Sequence, residues 1–255
     1  MTATASGEPS GELSLDRRGA QWRGTLPGLG LVLVGPTGTV AVEPEGPDPT
    51  GQKAAALTHG WGELLASTRR GHALVLGAAV VSPDESASAL LVCGTAHEVA
   101  PVVLALAGHG WLLLSDRPSP ASWENDQLVA HPRSAPLVMA FERVVESGLP
   151  FTTVRTPSNA VAVDVPRAME PSPVRGLLLV QRRRPHEEHF TELSGHRKFE
   201  RAASIVAKGV LAPESGSEDS AVSEHLRLAE LPSAVIRVDS AEAGSLDALL
   251  AWWAR

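Results

Sequence analysis

The residues of this chain best equipped for chemistry lie between positions 90 and 133. Residues 90–116 read LLVCGTAHEVAPVVLALAGHGWLLLSD. An apolar strand, Ala89–Cys93, opens into a loop at Gly94. An apolar helix is expected over 102–107, then a His109-Gly110 break and a second apolar strand over 111–114, ending in Ser115-Asp116. Strand, loop, helix and strand in that order form the frame of a phosphate-binding loop. In such a loop glycines let backbone N–H groups approach phosphate oxygens, a Lys adds positive charge and a Ser or Thr hydroxyl holds Mg²⁺. The loop here is Gly94-Thr95-Ala96-His97-Glu98-Val99-Ala100-Pro101. It is one residue short and has a single Gly. Val99 stands where the Lys is needed, Ala100 and Pro101 where the hydroxyls are needed, and Glu98 adds a charge that would repel phosphate. Gly94, Thr95, His97 and Glu98 are therefore a degenerate cofactor loop expected not to bind, and Glu98→Ala is expected to be near neutral. Asp116 is left as the one group able to take a proton or hold a metal, with Arg117 and Arg133 as replacement cations.

Other constellations have plainer readings. His97 and Glu98 could form an acid/base pair, but no third group orients them. The run from Gln181 to His189 carries three Arg against two Glu, nearly self-neutral, and reads as a solvated loop after a buried strand rather than an anion or peptide site. His186 and His189 lie three apart, but Pro185 argues against a helical metal pair, and no other Cys/His spacing suggests a metal site. Ser194-Gly195-His196 lacks the strand–elbow–helix setting of a hydrolase nucleophile. Cys93, the single cysteine, sits in an apolar strand and reads as a small buried hydrophobe. One cysteine excludes an intrachain disulfide framework and suits a reducing cytoplasm.

The elements that must position these groups follow from composition and pattern. With 255 residues, 43% of them hydrophobic, the chain can bury the core of one medium α/β domain. Residues 1–12 are expected to be a disordered tail, 13–70 a small N-terminal α+β subdomain, and 71–255 a core domain closed by a C-terminal helix. A net charge of −7, the absence of Tyr and 4% aromatic residues disfavour nucleic acid and anionic membranes as partners. No apolar run reaches the length of a membrane span, and the first residues lack the basic start and apolar stretch of a secretory signal, so a cytoplasmic location is expected. Strands are expected across 18–42, with a hairpin turn at Gly35-Pro36-Thr37-Gly38, and a helix over 52–69. Runs 74–81, Ala89–Cys93, 111–114 and 177–180 are apolar throughout. They should form one sheet covered on both faces, with the helix after Gly94 packed on it. A loop is expected over 118–126, a helix over 135–147, short strands over 151–165, helices over 199–207 and 246–253, and a linker over 211–223.

Taken in order, these segments resemble the HPr kinase/phosphorylase family, more closely its smaller HPr kinase-related branch. Val75-Leu76-Gly77-Ala78-Ala79-Val80-Val81 is similar to the branch's Ala-rich first strand. Ala89–Cys93 with Gly94 is similar to the strand entering its phosphate loop, and residues 110–116 (GWLLLSD) to its GWRLLSDD element. Residues 129–137 (VAHPRSAPL) resemble a proline-rich segment, and 174–181 (VRGLLLVQ) with Glu192-Leu193-Ser194 and the following helix resemble the closing strand–PLS–helix. The resemblance spans residues 60–240. It implies an α/β fold with a P-loop-containing HPr kinase/PEP carboxykinase-like sheet flanked by helices. The family's catalytic His falls on Leu76, its loop Lys on Val99, its Mg²⁺-binding hydroxyl on Ala100 and its second Asp on Arg117; only Asp116 matches. Phosphoryl transfer depends on positioning and charge neutralisation, and those are the replaced groups. The resemblance thus implies a pseudokinase without cofactor or metal. It would bind a partner protein or peptide as an accessory subunit, in a peptide-modification or natural-product pathway, with oligomer formation left open. One alternative is an atypical kinase using ATP and Mg²⁺ on a hydroxyl of a peptide or small molecule, with Asp116 as base or metal ligand. Another is a small-molecule enzyme reusing the nucleotide cleft, lined by His97, Glu98, Asp116 and Arg133.

Overall fold

In the N-terminal part, alternation of buried and exposed residues along short strands builds a sheet. The computed structural model describes residues 13–255 except 18, 85, 141–151, 156–159, 184–185, 206–225 and 239–243; the expected tail and the 211–223 linker lie outside them. Strands β1 (Ser14–Asp16), β2 (Trp22–Leu26), β3 (Gly30–Val34) and β4 (Val40–Pro44) pair antiparallel in sequence order. The period of two places Trp22, Leu26, Val32 and Val34 on one face, where Leu57 and Leu65 from the next element pack on them. Gly35-Pro36-Thr37-Gly38 is the expected hairpin turn, closed by Gly35 N–H to Thr39 O at 2.8 Å. The helix expected over 52–69 forms in three pieces: α1 (Gln52–Ala55), a π turn over Ala56–Gly62 and α2 (Glu63–Arg69).

The core follows with β5 (Ala73–Val75), β6 (Gly77–Val81), β7 (Ala89–Cys93), α3 (Ala96–Gly108), β8 (Leu112–Ser115), β9 (Ser119–Glu124) and β10 (Gln127–Ala130). Then come β11 (Leu137–Ala140), β12 (Thr152–Arg155), β13 (Ala160–Asp164), β14 (Ser172–Arg182), β15 (Phe190–Glu192), α4 (Gly195–Ser204), β16 (Ser233–Val238) and α5 (Gly244–Trp253). The fold is mixed α/β and mostly strand. Nine strands make one curled sheet in the order β5-β9-β10-β14-β7-β6-β8, with β16 and β15 continuing from β14. β14 runs parallel to both β7 and β16. All five residues of β6 and of β7 are buried, as strands covered on both faces must be. Leu90, Val92, Leu178 and Val180 meet α3 on one side; Leu91, Cys93, Leu177 and Leu179 meet Ile205 and Leu228 on the other. The three-stranded sheet β11-β13-β12 adds Leu137, Met139, Val161 and Val163 to the α3 side.

Four local expectations need correction. The run 74–81 is not one strand: it breaks at Leu76 into β5, which pairs with β9, and β6, which pairs with β7 and β8. The helix begins at Ala96, not 102. Residues 118–126 are not a loop: β9 and β10 form a hairpin, with Glu124 opposite Gln127. Its two-residue turn, Asn125-Asp126, has φ of 49° and 64°, the geometry that matches strand twist and that Asn and Asp tolerate best among non-glycine residues. Leu137–Ala140, expected in a helix, is strand β11, because β13 lies beside it with Leu137 opposite Val163 and supplies its backbone partners. Residues 141–147 of that expected helix lie outside the described ones.

Candidate functional site

The candidate site lies at the carboxyl ends of the parallel strands β7 and β14, where open α/β sheets bind ligands. Only Gly94 and Thr95 separate β7 from α3. Thr95 is the N-cap, in extended conformation, and Glu98 sits three residues on. The Glu98 carboxylate folds back over the start of the helix. Its Oε2 accepts from the Thr95 backbone N–H at 3.1 Å and from the Thr95 hydroxyl at 2.7 Å. Its Oε1 accepts the Arg182 backbone N–H, from the end of β14, at 3.1 Å. A helix N-terminus attracts an anion through its unpaired N–H groups and its dipole. Here the chain supplies that anion itself.

The neighbouring positions are equally committed. Val99 and Ala100 are 1% and 4% exposed and belong to the core beneath α3. Gly94 is required by packing: a Cβ there would lie 2.7 Å from the Val180 carbonyl oxygen of β14. Pro101 lies inside the helix, and His97 is exposed in its first turn. The residues present do not fit ATP·Mg²⁺: a carboxylate covers the start of α3, and Val99 and Ala100, which the sequence resemblance sets at the cation and hydroxyl positions, are buried and apolar. Among the described residues, no cluster of three or more His, Cys, Asp or Glu is placed to hold a metal ion. A cavity of about 240 Å³ lies elsewhere, between β5, β9, β10 and Leu228.

Arg117 joins this group, its Nη1 donating to the Gly94 carbonyl. Asp116 is partly buried just before it. Burial raises the Asp116 carboxyl above the usual carboxylate range, against the backbone N–H groups of Arg117 and Val138 and the charges of Arg133 and Arg117. The Val138 N–H ties the end of β8 to β11. Cys93 is likewise structural: burial pushes its thiol up to about 12.

Arg133 is drawn away from this site. It is 6% exposed. Its Nη1 donates to Pro118 O at 2.9 Å and Asp116 O at 3.3 Å, and its Nη2 to His59 O at 2.9 Å and Gly60 O at 3.1 Å. It clamps the 116–118 loop to the π turn of the N-terminal part. The structure therefore brings together Gly94, Thr95, Glu98 and Arg117, sets Asp116 against Arg133, and leaves His97 at the surface.

Sequence reasoning passed over one constellation. Ser134 Oγ lies 2.6 Å from His59 Nδ1 and donates to Glu63 Oε1, which is itself 3.1 Å from the same His59 nitrogen. The Ser134 backbone N–H adds a bond to Glu63 Oε2 at 3.1 Å. The residue types are those of a hydrolase triad, but the protons are arranged otherwise. One arrangement satisfies all three groups: Nδ1–H donates to the hydroxyl, and the hydroxyl donates to Glu63. The imidazole is then a donor, not the base that would activate the serine. The cluster fastens the β10–β11 connection to α2. Separations of 71 and 75 residues left no sequence signal for it.

Of the Arg182–His189 run, Arg182 ends β14 and residues 184–185 lie outside the described ones; Glu187 and Glu188 are met from β16. Arg237 Nη1 donates to Glu188 O at 3.0 Å, and Arg237 Nε lies 3.4 Å from Glu187. No helix of the described residues is long and apolar enough to cross a membrane. No protein-family model matches this chain, and no curated protein matches it.

Proposed function

We propose that this chain is a catalytically degenerate, HPr-kinase-like protein that serves as a binding or accessory subunit for a partner protein or peptide. One observation carries the reading: the Glu98 carboxylate lies on the helix N-terminus where a phosphate would have to lie. A scaffold that bound nucleotide would keep that position free and cationic. The order β7–α3–β8 on one sheet supports kinship with the HPr kinase/PEP carboxykinase-like architecture. A peptide-modification or natural-product pathway is the setting that the sequence resemblance suggests. The atypical-kinase alternative asks Asp116 to act as an open base or metal ligand, and its desolvation and two backbone hydrogen bonds weigh against that.

Complementation tests this reading. In a native-host strain lacking the chain, Asp116→Asn should restore whatever the deletion removes, because the site needs only shape and hydrogen bonding. A variant with native circular dichroism and melting temperature that fails to complement, in a strain rescued by the parent chain, would make Asp116 catalytic and overturn the proposal.

A further inference from the structure

The helix between residues 52 and 69 is interrupted by a π turn over Ala56–Gly62. In an uninterrupted α-helix the Glu63 N–H would bond the His59 carbonyl four residues back. Here it bonds Thr58 O, five residues back, so the Glu63 N–H does not serve the His59 carbonyl. That carbonyl and its neighbour at Gly60 are the two that Arg133 Nη2 takes. A π turn amounts to one extra residue in an α-helix, with poorer backbone bonding, and it survives where something outside the helix compensates. No proline lies in this stretch, and the compensating group is a guanidinium from the core domain. The same guanidinium holds Asp116 O and Pro118 O, and the residue between them, Arg117, holds Gly94 O in the candidate site. Glu63, first residue after the turn, is gripped by Ser134 N–H, next to Arg133.

We propose that the Ala56–Gly62 turn is a two-register element, held in its π register by Arg133, which couples the N-terminal sheet to the Gly94–Arg117 site. Releasing the carbonyls removes the reason for the extra residue. The turn can then tighten only if α1 or α2 rotates by roughly 100° about the helix axis, the angle of one residue. Leu57 or Leu65, according to which side rotates, would swing against the β1–β4 sheet that both cover. A partner that shifts the 116–118 loop would thereby be felt at the N-terminal sheet, because packed elements switch between discrete arrangements rather than deform smoothly. The inference does not depend on the partner-binding reading of the site.

A double-mutant cycle with hydrogen exchange, on the full chain, tests it. The variants are Arg133→Met, deletion of Thr58, and both together. In the parent chain, deleting Thr58 should lower the melting temperature, because Arg133 loses its acceptors. In the Arg133→Met background the same deletion should raise it, because the surplus residue no longer has a partner. Arg133→Met alone should also speed amide exchange over 60–66 by about tenfold or more, and over 94–98 in the same direction. If Arg133→Met does not fold, Arg133→Lys, which can serve one carbonyl pair but not both, should show the same two exchange effects more weakly. Equal shifts in melting temperature in both backgrounds would overturn the two-register element. Unchanged exchange over 94–98 would overturn the coupling.

Discussion

Glu98 is the residue on which the interpretation of the site turns, and its sequence context supports two opposite readings. Within a phosphate-loop frame it is a stray negative charge, and its removal should be near neutral. In the structure it closes a capping box with Thr95 and ties α3 to the end of β14. Glu98→Ala should therefore lower stability by about 0.5–2 kcal/mol, and Glu98→Gln, which keeps the acceptor, by clearly less; urea unfolding of both variants measures this. The pattern T-x-x-E at 95–98 was legible as a helix start, but the phosphate-loop frame placed the helix too late for it to count. The apolar character of position 99 was legible, and its burial in the core gives it a consequence that the sequence alone does not. Val99→Lys would drive an ammonium into the core beneath α3. Calorimetric melting should show a loss of about 3 kcal/mol or more, with no gain of nucleotide hydrolysis; a stable variant with new turnover would refute both statements.

The strands of the central sheet were legible, because runs such as Ala89–Cys93 and residues 177–180 contain no polar residue to place them on a surface. The elements that were misread failed for identifiable reasons. β9 contains Pro120 and two serines, so its pattern is weak, and the hairpin signal was the Asn125-Asp126 pair instead. β11 alternates Leu137 and Met139 into the core, but its four residues were absorbed into a helix reading that drew its support from 141–145. α3 passes through Pro101. A proline at this depth removes one intrahelical donor and crowds the preceding turn. Pro101→Ala should restore the bond to the His97 carbonyl and stabilise the protein by about 1–3 kcal/mol. A melting temperature equal to or below that of the parent chain would show that the helix has adapted fully to the proline.

A half-buried imidazole pair carries chemistry that reaches the whole fold. His72 and His131 stack with ring centroids 4.0 Å apart and 9° between planes. Burial first, then the charges of His131 and Arg70, depress His72 from 6.5 to about 4, with Glu124 opposing; burial also lowers His131. Between these values the unfolded chain takes up protons that the native chain refuses. Stability is thus complete above about pH 6.5 and falls as the pH drops toward 4. After discounting for partial exposure, the loss from His72 is about 2 kcal/mol. Urea unfolding at pH 7.5 and 4.5 should show it, and His72→Phe, which keeps the stack but not the proton, should reduce the difference. A pH dependence unchanged in that variant would assign it to other groups. The proposal made at the same scale is that the start of α3, covered by the Glu98 carboxylate, takes no nucleotide. Isothermal titration calorimetry of the full chain with ATP·Mg²⁺ measures this directly. With Glu98 on the helix N-terminus and Val99 in the core, no binding heat should appear up to millimolar nucleotide; saturable binding with a micromolar dissociation constant would contradict it.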